Sequence, residues 1–369
     1  MKTKLWMLGA AVAALTSCTQ SEVVEIPESR VIGFDSFVGK NSRAADPTMT
    51  TTSLAKAWVY GDYGTTTDGT YTPVDCDKSS TGVHDHLFDA YELTCNGGAY
   101  VTTNEHWVAS KEYRFAAYSD GNNKLTTGVS FNSTAATWGL VIDDYTAGDH
   151  DLIATTAKAT TNEDLNNITS VGLSFKHLLA RVQFVFNVTV ENGLKLKVNP
   201  FKMKCIRTAD CNVNYTTEGG DVVWTLPTAA LGENDFYEFK TYSTTTANTG
   251  SSSTEDCIIT ASDIYKFECY VIPQNLTNNG TILEVPEIKI ETLNANDETI
   301  SVTTFKNVKL DITGHTGWER STIYSYQGTI GTNSHPIIFH PTVGETWQDP
   351  DSANKSIDSY KVVTQASQQ

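Results

Sequence analysis

Apolar residues in this chain recur at every second position far more often than at helical spacing. Val182, Phe184, Phe186, Val188 and Val190 alternate with Arg181, Gln183, Asn187, Thr189 and Glu191, with Val185 the one apolar residue on the second face. Leu194, Leu196 and Val198 alternate with Lys195 and Lys197; Ile288 and Ile290 alternate with Glu287, Lys289 and Glu291; Val308, Leu310 and Ile312 alternate with Lys309 and Asp311. This period of two is that of a strand with one face buried, and no long amphipathic helix competes with it. Turn-rich breaks at Gly61–Thr72, Asp120–Asn123, Glu218–Asp221 and Thr244–Glu255 separate the runs. Many short strands joined by such turns predict an all-β fold of sandwiches.

One stretch breaks phase. Val171, Leu173 and Phe175 occupy odd positions, whereas Leu178, Ala180, Val182 and Phe184 occupy even ones. One strand cannot bury both sets on the same face. Either a bulge near Lys176–His177 reverses the phase, or the chain passes there from one sheet or domain to another. The polar loop Thr160–Asn167 fits a boundary close by, giving an expected division into 44–170 and 171–369.

The first residues change the picture from fold to location. Lys2 and Lys4 precede the apolar run Leu5–Leu15, which is too short to cross a bilayer. Leu15-Thr16-Ser17-Cys18 follows, a signal peptide (1–17) with a lipobox, cut before Cys18, which then carries the lipid. The net charge of −17 excludes the basic footprint of a nucleic-acid binder and suits a self-repelling surface protein. Six further cysteines permit disulfides in an exported chain; the sequence-local pairs 76/95, 205/211 and 257/269 are the simplest, and buried thiols are the alternative.

Motifs for chemistry are sparse. His84 and His86 would share one side of a strand, a metal half-site with no third ligand in view. Asp143, Asp144, Asp149 and Asp151 crowd one loop without EF-hand spacing. His177 reads as a hydrogen-bonded structural histidine. No GxSxG, HExxH, P-loop or GxGxxG occurs, so the chain is expected to be no enzyme and to need no cofactor or metal.

Five segments in order resemble the fimbrillin-like (type V) pilins of Bacteroidia. They are the lipobox with Ser42-Arg43-Ala44; Tyr113-Arg114-Phe115-Ala116-Ala117-Tyr118; and Leu173-Ser174-Phe175-Lys176-His177-Leu178-Leu179-Ala180-Arg181-Val182. Tyr270-Val271-Ile272-Pro273-Gln274 is the fourth, and Trp318 with Tyr324-Ser325-Tyr326, Ile338-Phe339 and Val343 to Trp347 the last. The resemblance implies two tandem transthyretin-like β-sandwiches with Greek-key connections. It also implies a stalk, tip or anchor subunit of a pilus on the cell surface. Partners would then be other pilin subunits, the outer membrane through the lipid before processing, and a host or bacterial surface ligand.

The residues are consistent with that family's assembly chemistry. Residues 18–43 read as a lipidated propeptide: a polar tether, then a strand over Arg30–Lys40 in which Ile32, Phe34 and Val38 share a parity. Arg43-Ala44 lies in a small-residue loop of the kind proteases cut. By resemblance, cleavage between Arg43 and Ala44 removes the first strand, and a neighbour's C-terminal strand takes its place. Burial of three such side chains is worth about 5–9 kcal/mol, and strand addition supplies the ladder. Donor candidates within about 336–369 are Ile337, Phe339 and Val343, interrupted by Pro341, and Tyr360 with Val362. Alternatively Pro336–Trp347 is simply the last strand of its sandwich. The competing function is a tethered glycan-binding lipoprotein using Trp107, Trp138 or Trp224 as stacking platforms.

Overall fold

A computed structural model describes residues 30–38, 53–76, 84–95, 101–126, 128–168, 170–191, 193–216, 219–228, 236–239, 242–244, 257–259, 264–276, 284–309, 316–331 and 340–346. Among these residues every regular element longer than one residue is a strand, so the fold is all-β as the alternation predicts. In chain order the strands are β1 Val31–Val38, β2 Lys56–Thr67, β3 Thr70–Pro73, β4 Phe88–Thr94, β5 Val101–His106, β6 Glu112–Asp120, β7 Val129–Asn132, β8 Gly139–Thr146 and β9 Leu152–Thr160. Then come β10 Val171–His177, β11 Ala180–Thr189, β12 Lys195–Val198, β13 Phe201–Lys204, β14 Thr208–Asn214, β15 Asp221–Thr225, β16 Phe236–Phe239 and β17 Tyr242–Thr244. The last are β18 Cys257–Ile259, β19 Ile264–Val271, β20 Gln274–Asn275, β21 Glu284–Leu293, β22 Thr299–Lys309, β23 Gly317–Trp318, β24 Thr322–Gly331 and β25 His340–Thr346.

The largest sheet runs β3-β2-β6-β9-β10-β1-β5, with β4 also on β2. Its central strands are buried on both faces. Ala57, Val59, Tyr113, Phe115, Ala117 and Ile153 belong to one core, which also holds Ile32, Phe34, Leu173 and Phe175 from β1 and β10. The alternate residues Trp58, Tyr60, Ala116, Tyr118, Leu152 and Ala154 belong to a second core, shared with Leu140 and Ile142 of β8 and Cys211 and Val213 of β14. Double coverage explains why β6 reads as a nearly continuous apolar run rather than an alternating one.

The second core continues into a five-stranded sheet, β17-β19-β11-β24-β25, and a six-stranded one, β16-β13-β21-β12-β18 with β22 on β21. A four-stranded sheet, β15-β14-β8-β7, joins strands from both sides of residue 170. The phase break at Lys176–His177 is a change of sheet: β10 pairs with β9 through Lys176 and His177, and the next strand, β11, lies between β19 and β24. His177 is fully buried there, with Nδ1 2.9 Å from Asp151 Oδ2. Asp151 is buried with it, whereas Asp143, Asp144 and Asp149 are exposed.

Two expectations need correction. The break at Gly61–Thr72 is mostly strand: β2 runs through it to Thr67 and turns at Asp68-Gly69, both at positive φ, a two-residue hairpin. Gly61 is a close-approach position, because a Cβ there would come within 2.7 Å of the Phe115 ring. The local disulfides do not form: Cys95, Cys211 and Cys269 are reduced and buried, so each expected pair lacks one member.

Candidate functional site: the seat of the first strand

β1 occupies an interior place in its sheet although it is the first strand in sequence. On one side it pairs in parallel with β10, Phe34 opposite Val171 through to Val38 opposite Phe175. On the other it pairs antiparallel with β5, Gly33 opposite Thr102 and Phe34 opposite Val101, with a bulge between Val31 and Gly33. β5 has no other ladder partner among the described strands. The strand therefore bridges two others rather than decorating an edge.

Its inward side chains are the ones alternation selects. Ile32 and Phe34 are fully buried. The Phe34 ring stands edge-on to Phe115 at 5.4 Å and to Phe88 at 5.8 Å, the T-shaped geometry aromatic quadrupoles prefer. Trp107, immediately after β5, packs against Tyr113 at 4.5 Å, and its backbone N–H donates to the Arg30 carbonyl at 2.8 Å. The Thr103 hydroxyl donates to the Ile32 carbonyl at 2.9 Å, and Ser170 donates to the Asp35 carboxylate.

Ser36 follows on the same face, buried, near the Cys95 thiol. Burial pushes that thiol's pKa up, and the Ser36 hydroxyl offsets part of the rise. A small polar residue here leaves the strand bound chiefly by Ile32, Phe34 and its two ladders. Tyr113 lies at the floor, its hydroxyl accepting the Val108 N–H at 2.6 Å, and burial raises its pKa far above the ordinary value.

Of the expected removable residues, Ile32 and Phe34 lie in this seat, and Val38 ends the strand at backbone level. Cys18, Arg43, Ala44, Ile337, Phe339, Tyr360 and Val362 lie outside the described residues. Val343 sits in β25, opposite Tyr324, at the edge of a different sheet. Pro341 is accommodated in that edge strand, where a missing N–H costs least. The expected sugar platforms are not free surfaces: Trp107 and Trp138 are buried, and the half-buried Trp224 donates its indole N–H to the Leu178 carbonyl at 3.0 Å. The bridging role of β1 between β10 and β5 left no mark in the sequence, because strand neighbours are set by topology and not by alternation.

No protein-family profile matches the sequence, and no curated protein matches it. Among solved structures, the fold is similar to a fimbrial protein from Bacteroides vulgatus, with a TM-score of 0.52 and 17% identity over 86% of this chain and 99% of that one. A match also extends over 84% of this chain and 96% of the fimbrial anchor protein Mfa2 from Porphyromonas gingivalis, at a TM-score of 0.31 and 9% identity. At 17% identity the likeness to the Bacteroides vulgatus protein is one of fold alone.

Proposed function

We propose that this chain is a structural subunit of a surface fimbria, stalk or tip, serving adhesion and assembled by donor-strand exchange. It is exported as a lipoprotein precursor through Cys18, cleaved between Arg43 and Ala44, and thereby freed of β1. The observation that supports this most is the placement of β1: a strand just ahead of the proposed cut fills an interior slot and seals an apolar core with Ile32 and Phe34. The fold shared with a fimbrial protein agrees with it.

The physics of exchange follows from that placement. Removal of β1 uncovers the edges of both β10 and β5 and a hole the size of two large side chains. Reburial of Ile32 and Phe34 equivalents is worth roughly 3–6 kcal/mol, and two backbone ladders add to it. A precursor that keeps its own strand in place avoids aggregation during export. Donor and acceptor sites are different surfaces, so repetition is head-to-tail and yields a filament.

The test is limited trypsin digestion of protein beginning at Thr19, followed by N-terminal sequencing and sizing. A new terminus at Ala44 with a ladder of oligomers supports the proposal. Deleting 358–369 or 336–369 then identifies the donor by which one abolishes the ladder. A cut product that stays a stable monomer overturns it in favour of a permanently tethered protein.

A further inference from the structure

His84 and His86 have a third partner that the sequence hid. Asp62, in the middle of β2, is fully buried, and its carboxylate faces both imidazoles. His84 Nε2 lies 3.2 Å from Oδ1, and His86 Nδ1 lies 2.9 Å from Oδ1 and 3.0 Å from Oδ2. The two rings are nearly perpendicular, with centroids 5.1 Å apart. The histidines come from the extended segment that leads into β4, which pairs with β2 through Gly61 and Phe88, and this pairing carries them back over Asp62.

We propose that Asp62, His84 and His86 form a binding site for a divalent transition metal of the zinc class. Two imidazole nitrogens and one carboxylate oxygen are the donor set of an open zinc site, which completes its tetrahedron with water. The spacing fits: bonds of about 2.0–2.1 Å place tetrahedral ligand atoms roughly 3.4 Å apart. The two Asp62–His pairs, now at 2.9–3.2 Å, need to open by only a few tenths of an ångström, and all three ligand atoms lie within 4.8 Å of one another. A hydrogen-bonded cluster and a metal cluster thus share one geometry, differing in whether protons or a cation lie between the atoms.

The surroundings match those of a metal ligand rather than a loose surface pair. The Ser133 hydroxyl donates to Asp62 Oδ2, and the Arg114 guanidinium donates to the Ser133 carbonyl, so the carboxylate is held from behind. The His86 ring rests near Phe131 at 5.6 Å. The histidine side chains remain about a third and a fifth exposed, which leaves a path for the ion and a place for its water. On binding, each imidazole presents the lone pair of its Asp62-facing nitrogen, and the displaced protons go to solvent. The ion would tie the segment ahead of β4 to the centre of β2.

The experiment compares thermal unfolding of chelator-treated protein with and without Zn²⁺ at pH 7.5, in the native chain and in H84Q/H86N. Gln and Asn place amide N–H groups near the original Nε2 and Nδ1, so they keep hydrogen bonds to Asp62 but are poor zinc ligands. Zinc at a hundredfold excess over its dissociation constant should raise the native Tm by about 5 °C and leave the double variant unmoved. Co²⁺ should give the strong visible absorption of a four-coordinate ion in the native chain alone. No Tm rise in the native chain, or an equal rise in both, overturns the site.

Discussion

β1 and β25 are both single strands added to larger sheets, but their places in the fold differ in kind. β1 lies between β10 and β5, and β5 is attached to the described sheet through β1 alone. Among the described strands β25 is bonded only to β24 and forms the rim of its sheet. Losing β25 would uncover one edge. Losing β1 would uncover two edges, detach β5 from its ladder and open a core. An interior strand near a proposed cut is thus a better built acceptor site than an edge strand, whereas an edge strand is the easier one to give away.

The sharpest way to break this contrast is to truncate one side chain from each strand. Phe34→Ala should destabilise the uncut chain by about 3–5 kcal/mol, as for other fully buried phenylalanines. Val343→Ala in β25, which removes two methyl groups instead of a phenyl ring, should cost less. Urea unfolding of the two variants decides it, and equal losses would mean that β1 is no more integral than β25.

A second test reads the opening itself. Cys95 lies in the core that β1 seals, whereas Cys211 and Cys269 lie in the other core. Burial raises all three thiols, Cys211 to about 12 and Cys269 well above its ordinary value, which suppresses the reactive thiolate. In the uncut chain all three should alkylate slowly. After cleavage, and before any donor arrives, Cys95 should react faster by about tenfold or more while Cys211 and Cys269 stay protected. Mass spectrometry of the labelled peptides gives the rates. Uniform acceleration at all three would indicate general loosening and remove the distinction between the cores.

Much of this frame is legible from alternation: the all-β class, the apolar parity of Ile32 and Phe34, and the change of phase after Lys176. What stayed hidden has physical reasons. Gly61 and Gly64 imitate turn residues, yet lie in a strand because a ring and a backbone crowd them. The run Tyr113–Tyr118 has no polar face because both of its faces are covered. Asp62 stands 22 and 24 residues before its two histidines, a separation closed by the pairing of β4 with β2. The thiols were ambiguous because an exported chain permits either state, and it is the fold that leaves Cys95, Cys211 and Cys269 free.

The smallest effect tests whether the rest of the sheet is indifferent to β1. Glu112, at the start of β6, accepts hydrogen bonds from Arg114 Nε at 2.9 Å and Thr66 Oγ1 at 2.9 Å, and pairs with Lys158 Nζ at 2.8 Å. These contacts join β2, β6 and β9, strands that remain when β1 departs. Burial pushes the carboxyl up, but the bonds from Lys158, Arg114 and Thr66 outweigh it and hold Glu112 below its ordinary 4.5. A depressed carboxyl contributes stability above the unfolded value and loses it as pH falls through the folded one. Because Lys158 is about a third exposed, solvent screening keeps the contribution under about 1 kcal/mol. Glu112→Gln should therefore flatten the loss of stability below pH 4.5, measured by urea midpoints at stepped pH. The flattening should be the same before and after removal of β1. A pH effect that vanished with the strand would show that its seat extends as far as β6's outer end, and that the interior slot is coupled to the frame that holds it.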